Sequence, residues 1–339
     1  MLDLSKVKVS SSPHIRSDET TRQIMLDVVI ALMPALAVSV FVFGWRSLVL
    51  TVFSVCGCIF FEWLYGILTR RPNTTGDMSC IVTGVLLAFN MPVTAPLWLV
   101  LVGDGFAIII VKQLFGGIGK NFMNPALSAR AFLFSWPVIM TTWVRTRTAL
   151  PLFTTPVDVV TSATPLSYLK QGLMPDASLV DMALGMVSGC LGETSALALI
   201  AGGLYLIYRR VISPHIPVAY LGTVAVLTFL FPRGGLDPLD FMLAHLLSGG
   251  LMLGAIFMAT DYTTSPLTKK GKIIFGIGCG LLTVFIRYFG SYAEGVSYSI
   301  LIMNAFVPLI EKFTIPKYPS ERRRLTLKKS KAKEAGPNE

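Results

Sequence analysis

Residues 89–126 contain, in order, Phe89-Asn90-Met91-Pro92, Thr94-Ala95-Pro96, a long apolar run, Phe115-Gly116-Gly117 and Met123-Asn124-Pro125-Ala126. Residues 258–305 repeat that order as Met258-Ala259-Thr260-Asp261, Thr264-Ser265-Pro266, a second apolar run, Phe289-Gly290 and Met303-Asn304-Ala305. Each copy closes one apolar segment, runs through another and opens a third. Counting outward gives five apolar segments before residue 142 and five after residue 189. An odd number of spans per copy forces the two copies to enter a bilayer in opposite orientations. That is the inverted-repeat plan, in which sites gather near the midplane between the halves.

The composition agrees with a membrane protein. Hydrophobic residues make up 53% of the 339-residue chain, charged residues 14%, and the mean hydropathy is +0.66; an average soluble domain is about 25% charged. A hydrocarbon core of about 30 Å takes roughly 20 helical residues to cross. Candidate spans lie near 23–43, 47–69, 78–91, 97–115, 124–141, 190–208, 216–232, 240–260, 273–289 and 297–313. The expected fold is therefore an all-α polytopic membrane protein with ten transmembrane helices as five-plus-five inverted repeats. Its parts are a cytoplasmic segment 1–22, a first membrane repeat 23–141, an extracytoplasmic loop 142–189, a second repeat 190–313 and a basic tail 314–339. Little length remains for a soluble catalytic domain.

Charge placement orients the chain. With the N-terminus inside, the inner segments hold 22 of the 29 Lys and Arg, and the outer loops hold Arg46, Arg145, Arg147, Lys170, Arg233 and Arg287. Every alternation follows the positive-inside rule, so both termini are expected in the cytoplasm and the 142–189 loop outside it. Residues 1–22 lack the n-, h- and cleavage regions of a signal peptide. The net charge of +10 is distributed among loops, which argues against nucleic acid and for lipid as the surroundings. Five cysteines without C-x-x-C spacing or a Cys/His cluster argue against zinc and against a self-contained iron–sulfur site.

Ionisable residues within or beside the spans are costly in lipid and become functional candidates: Asp27, Glu62, Asp104, Arg130, Glu193, His245 and Arg287. Asp27 reads as a snorkelling or helix-start carboxylate, and His245 as an interhelical hydrogen-bonder. Asp104 and Arg130 lie deeper; a buried pair between them is structurally reasonable, but the sequence does not show that they meet.

Two loops carry chemistry. The first is Asp158-Val-Val-Thr161-Ser162-Ala163-Thr164-Pro165. A phosphoester needs an accessible hydroxyl, space for a phosphate and a route for the proton. Thr164 supplies the hydroxyl, Ser162 and Ala163 leave space, and Asp158 can orient or deprotonate. Thr164-Pro165 equally reads as a helix N-cap followed by proline at the first position. The second loop is Gly116-Gly117-Ile118-Gly119-Lys120-Asn121-Phe122-Met123-Asn124-Pro125-Ala126. Asn follows its lysine where a Walker loop needs Ser or Thr, and no strand precedes it. It reads as a turn whose Asn121 and Asn124 amides can bond to an uncharged polar ring system.

Ser12-Pro13-His14, the run from Ile24-Met25 through Ala31-Leu32-Met33-Pro34-Ala35, the Gly-x-Asn-x-x-Asn-Pro-Ala loop and the threonine loop follow one another in a known order. In these residues the chain, from about residue 12 to 316, resembles the RnfD/NqrB family of membrane flavoprotein subunits, and the RnfD branch of the Rnf complex most closely. The resemblance implies FMN joined covalently to Thr164 by a flavin transferase, with Asp158, Thr161, Ser162 and Ala163 as the surrounding motif. It also implies a noncovalent riboflavin or second flavin near Asn121 and Asn124. Electrons would pass between ferredoxin and NAD through several subunits, a second covalent flavoprotein among them, driving Na+ or H+ export across a bacterial inner membrane. Such a protein belongs to an oxidoreductase without being catalytic alone. Ser162 stands where the motif commonly has glycine. The competing expectation is a secondary transporter or channel with no redox group.

Overall fold

The computed structural model describes residues 20–71, 74–146, 148, 150–153, 161–193 and 195–316. It is an all-α polytopic membrane protein. Helix α1 (Thr21–Phe43) starts at a capping box between Thr20 and Gln23, which satisfies backbone N–H groups that have no partner inside the helix. It turns into α2 (Trp45–Thr69) at Gly44 alone, whose φ of 80° is open to glycine at no steric cost. Then follow α3 (Ser79–Phe89), α4 (Leu97–Gly105, continuing as π-turns over Phe106–Gln113), α5 (Pro125–Leu133) and α6 (Pro137–Met140). The loop carries α7 (Pro165–Lys170) and α8 (Leu179–Leu184). The rest comprises α9 (Ala196–Tyr208), α10 (His215–Leu230), α11 (Pro238–Leu247), α12 (Leu251–Leu253, continuing as π-turns over Gly254–Met258), α13 (Lys269–Phe289) and α14 (Val296–Thr314).

Each of the ten expected spans carries helix, but they are unequal. Helices α1, α2, α13 and α14 are long and apolar enough to cross a membrane, and α11 with Leu251–Met258 forms a fifth span bent by 65°. Helix α3 has only 11 residues, because Asn90-Met91-Pro92 ends it. The expected span 124–141 breaks before Pro137, which has no N–H to donate and clashes with the preceding turn.

The two halves pack alike. Helix α2 lies on α3 and α4, as α10 lies on α11 and α13; α1 meets α9, and α5 meets α14. The α1–α9 contact is close: a Cβ at Gly202 would come within 2.1 Å of the Ala31 carbonyl oxygen. Small residues permit such approaches where lipid offers no hydrophobic drive between helices.

Broken helices inside a bilayer must have their free carbonyls satisfied by protein. Two arginines, Arg46 and Arg287, do this, and a third, Arg130, bonds to the side chain that ends α3; each is 1% exposed. Arg46 donates from Nε to Val93 O (2.7 Å) and from Nη2 to Ala95 O (3.0 Å), just beyond the end of α3. Arg287 donates to His245 O (2.7 Å) and Ser248 O (3.2 Å) at the bend after α11. Arg130 donates to Asn90 Oδ1 at 2.8 Å. The alternation of charge assigns Arg46 and Arg287 to outer loops; both instead lie inside α2 and α13, because the interrupted backbone beside them needs donors.

Two other charges differ from the sequence expectation. Asp27 neither snorkels nor caps; it accepts from Tyr205 Oη (2.9 Å) on α9 and from Arg209 Nη2 (3.2 Å) just after that helix. Lys112, counted with an inner loop, is buried in the π-turns, with Nζ bonded to both Glu62 oxygens (2.8 and 3.0 Å) and to Ser79 Oγ (2.6 Å).

Candidate functional site

Thr164 sits at the N-cap of α7 with an extended backbone (φ −77°, ψ 152°) and Pro165 at the first helical position, but its side chain caps no backbone N–H. Its Oγ1 lies 3.4 Å from Ser167 Oγ, which is itself 2.6 Å from Thr164 O and donates to it. Both sequence readings are thus compatible in one residue: the backbone takes the cap position while the hydroxyl stays out of the helix bonding. The segment before it is fixed from two sides. Thr161 bridges Val144, Ser162 N donates to Trp143 O at 3.0 Å, and Ser162 Oγ lies 2.7 Å from Ser188 Oγ. Serine in place of glycine therefore has both room and a partner. Asp158 lies outside the described residues.

Thr161, Ser162, Ala163 and Thr164 share a cavity of about 450 Å³ with Phe134, Gly249, Tyr292 and Glu294. This falls within the roughly 300–1,000 Å³ usual for small-ligand sites. The Phe134 and Tyr292 ring centroids are 5.2 Å apart. Arg145 lines an adjoining cleft with Thr161, Ser162 and Ala163.

Charge is concentrated beside the cavity. Arg130 Nη2 forms an ion pair with Glu294 and approaches Glu193 Oε1 at 3.8 Å. Glu294 Oε1 also accepts from Gly250 N at 3.3 Å, and Glu193 Oε2 from Cys190 N at 3.2 Å. Cys190, Glu193 and Glu294 converge closely enough to suggest a cation site, but the Arg130 guanidinium already contacts all three. The Asp104–Arg130 pair that the sequence leaves open does not form: Asp104 bonds to Ser54 and Cys58 instead. The sequence singles out Arg130 and Glu193 without showing that they meet, and reasoning from it misses Glu294 altogether. The available signal is a lone Glu immediately before Gly295 and α14.

Asn121 and Asn124 line a second cavity, between α1, α3 and the residues after α12, with Lys112, Asp261 and Thr263. Its volume of about 100 Å³ is below that of ordinary ligand sites, so a tricyclic ring would enter only with side-chain movement. Asn124 Oδ1 caps α5 through Ala126 N (3.1 Å) and Leu127 N (3.3 Å), and Nδ2 donates to Met258 O (3.3 Å). Asn124 N in turn donates at 3.2 Å to Asn304 Oδ1, in the amide orientation that satisfies Asn304. The corresponding asparagines of the two copies thus touch. Asn121 Nδ2 donates to Met123 O at 3.2 Å. Burial raises the pKa of Asp261 above its ordinary value, opposed by bonds from Thr263 and Thr264.

The sequence that carries these elements matches a known family. The model described as "NQR2, RnfD, RnfE family" matches residues 8–319. The chain belongs to that family. Among its RnfD-type relatives, the D component of the Na(+)-translocating ferredoxin:NAD(+) oxidoreductase complex of Acetobacterium woodii is 53% identical over 310 residues, covering 90% of this chain and 93% of the relative. The D component of the proton-translocating ferredoxin:NAD(+) oxidoreductase complex of Clostridium ljungdahlii is 44% identical over 91% of this chain and 94% of its own length. The D component of the ion-translocating oxidoreductase complex of Actinobacillus succinogenes is 36% identical over 91% and 97%.

Proposed function

We propose that this chain is the RnfD-type membrane component of an ion-translocating ferredoxin:NAD+ oxidoreductase complex. The observation that carries the proposal is a match to such components over nine-tenths of both sequences. The chain works with the other Rnf subunits, a second covalent flavoprotein among them, and is not catalytic alone. The Acetobacterium and Clostridium relatives differ in the ion that their names state, so Na+ or H+ is a property to be measured in this protein.

The finer reading is that Thr164 carries FMN as a phosphoester installed by a flavin transferase. The fit is physical: the Thr164 hydroxyl is not used in capping, and it borders a cavity large enough for a flavin-sized group. Bound there, FMN supplies a one- or two-electron carrier. Thr161 and Ser162 hold the loop through Val144, Trp143 and Ser188. Phe134 and Tyr292 present ring faces or edges to a flat ligand, and Arg130 offsets one of the two charges of Glu193 and Glu294, which lessens the negative charge that the wall turns toward a phosphate. Arg145, in the adjoining cleft, adds positive charge on the other side of the loop.

The same reading assigns a noncovalent riboflavin or second flavin to the Asn121–Asn124 cavity, once side chains move apart. Asn121 is the better hydrogen-bonding candidate, since the Asn124 amide is committed to α5 and Met258. It further takes 23–141 and 190–313 as the two inverted repeats, both termini as cytoplasmic, and Thr164 as facing out of a bacterial inner membrane.

The test is ion uptake by inverted membrane vesicles holding the complete complex, driven by reduced ferredoxin with NAD+ as acceptor. The proposal expects NAD+ reduction and ion uptake to disappear together when Thr164→Val replaces the wild-type chain. Ion flux that persists without reductant would favour a transporter.

A further inference from the structure

Asp104 is fully buried in α4, at the point where the helix passes into π-turns. Single π-turns inside helices occur often at functional sites. The carboxyl faces α2, and among the described residues no cation pairs with it. Its Oδ1 lies 2.6 Å from Ser54 Oγ and 3.4 Å from Cys58 Sγ, and its Oδ2 has no hydrogen-bond partner. Ser54 Oγ is also 3.0 Å from Gly84 O on α3.

Counting hydrogens decides the state of this group. A serine hydroxyl has one hydrogen, and Ser54 Oγ has two oxygen neighbours that it could serve. With Asp104 ionised, one of these two contacts has no hydrogen, and a buried carboxylate keeps one oxygen without a donor. Buried polar groups ordinarily have partners, and an unpaired buried charge is the costliest exception. With a proton on Oδ1, each contact is filled: Asp104 donates to Ser54 Oγ, Ser54 donates to Gly84 O, and the Cys58 thiol donates to Oδ1. The remaining oxygen is then a neutral carbonyl.

The surroundings neither neutralise a carboxylate nor admit a metal ion. Among the charged and titratable groups on the packed elements, Lys112 directs all three of its hydrogens to Glu62 and Ser79, and Arg130 on α5 pairs with Glu294. Cys58 on α2 and Cys80 on α3 are buried thiols. Oδ2 is pressed against α2, where a Cβ at Gly57 would come within 2.4 Å of it. No gap on that side takes an ion with its own set of oxygens. The second half has a buried hydroxyl cluster between α10, α13 and α14, made by Tyr220, Thr283 and Ser299, and no carboxyl joins those bonds. The halves therefore differ in the one respect that matters for holding a proton.

We propose that Asp104 is a membrane-embedded proton-binding site, its proton held by a hydrogen-bond chain that runs from the carboxyl through Ser54 and ends on the Gly84 carbonyl. The ligand is a single proton, which leaves the carboxyl as a carboxylate when it departs. This site is independent of flavin attachment at Thr164, and its test does not require an active flavin.

The experiment is infrared spectroscopy of the assembled complex in lipid at neutral pH, in light and heavy water. The expected result is a carbonyl band of a protonated acid that is absent in Asp104→Asn. In Ser54→Ala, which keeps the carboxyl but removes its acceptor, that band should move to higher frequency. Adding Na+ at fixed pH should leave it in place. Identical acid-carbonyl spectra for wild type and Asp104→Asn would overturn the proposal. So would loss of the band on adding Na+, which would make the site a cation site instead. Should Asp104→Asn not assemble, the Ser54→Ala shift decides: an unmoved band means that the protonated acid is not Asp104.

Discussion

Arg130 on α5 and Glu294, just before α14, form an ion pair beside the Thr164 cavity across 164 positions of sequence. It joins the end of the first half to the last span of the second, and Asn90, Ser297, Glu193 and Cys190 also contact the guanidinium. Removing one member of such a pair leaves a charge with nowhere to go. Arg130→Met should lower stability by on the order of 3 kcal/mol, and the double variant Arg130→Met, Glu294→Met should recover part of it. Thermal melts of the purified protein in detergent check this; an unchanged melt for Arg130→Met would contradict the role assigned to the pair.

The two asparagines of the glycine-rich loop should separate in the same assay. Asn124→Ala removes an N-cap, worth about 1 kcal/mol, and a bond to Met258 O worth about another 1 kcal/mol. Asn121→Ala removes one partly buried bond and should cost less. Noncovalent flavin bound by the purified complex should respond in the opposite order, falling more with Asn121→Ala. Equal flavin loss with equal melts would show that neither residue has the distinct role given to it.

Close packing of α1 on α9 makes a sharp contrast between two glycines. Gly202→Val places carbon atoms into the Ala31 carbonyl, and overpacking of this kind costs about 1–3 kcal/mol or more. Gly222 on α10 has nothing within 4 Å of an added Cβ, so Gly222→Ala should be neutral or slightly stabilising through helix propensity. Yields and melts of the two variants should diverge accordingly.

Ser162→Gly restores the residue more common in the motif. It loses the contact with Ser188, worth about 1 kcal/mol, and adds backbone freedom, so the melt should fall slightly. Covalent flavin per chain, by absorbance after denaturation, should stay at the wild-type level. A rise would mean that serine hinders attachment.

Much of this architecture can be read from the sequence, for local reasons. Long apolar runs announce α1, α2, α13 and α14, and Asn90-Met91-Pro92 announces the end of α3. The arginines that repair the broken helices are not legible, because Arg46 and Val93 are far apart in sequence and meet only through packing. For the same reason the sequence leaves a pair between Asp104 and Arg130 open, while the fold gives each a different neighbour. At Thr164 the sequence allows a cap and a tether; the geometry puts the backbone at the cap position and leaves the hydroxyl out of the helix bonding.

Covalent flavin at Thr164 is the central claim, and a denaturing gel tests it most directly. The full-length protein, coexpressed with a flavin transferase shown to be active on another substrate, should be run on such a gel and excited for flavin fluorescence. The predicted result is a fluorescent wild-type band and a dark, equally abundant Thr164→Val band. A dark wild-type band, or fluorescence that survives Thr164→Val, would contradict it.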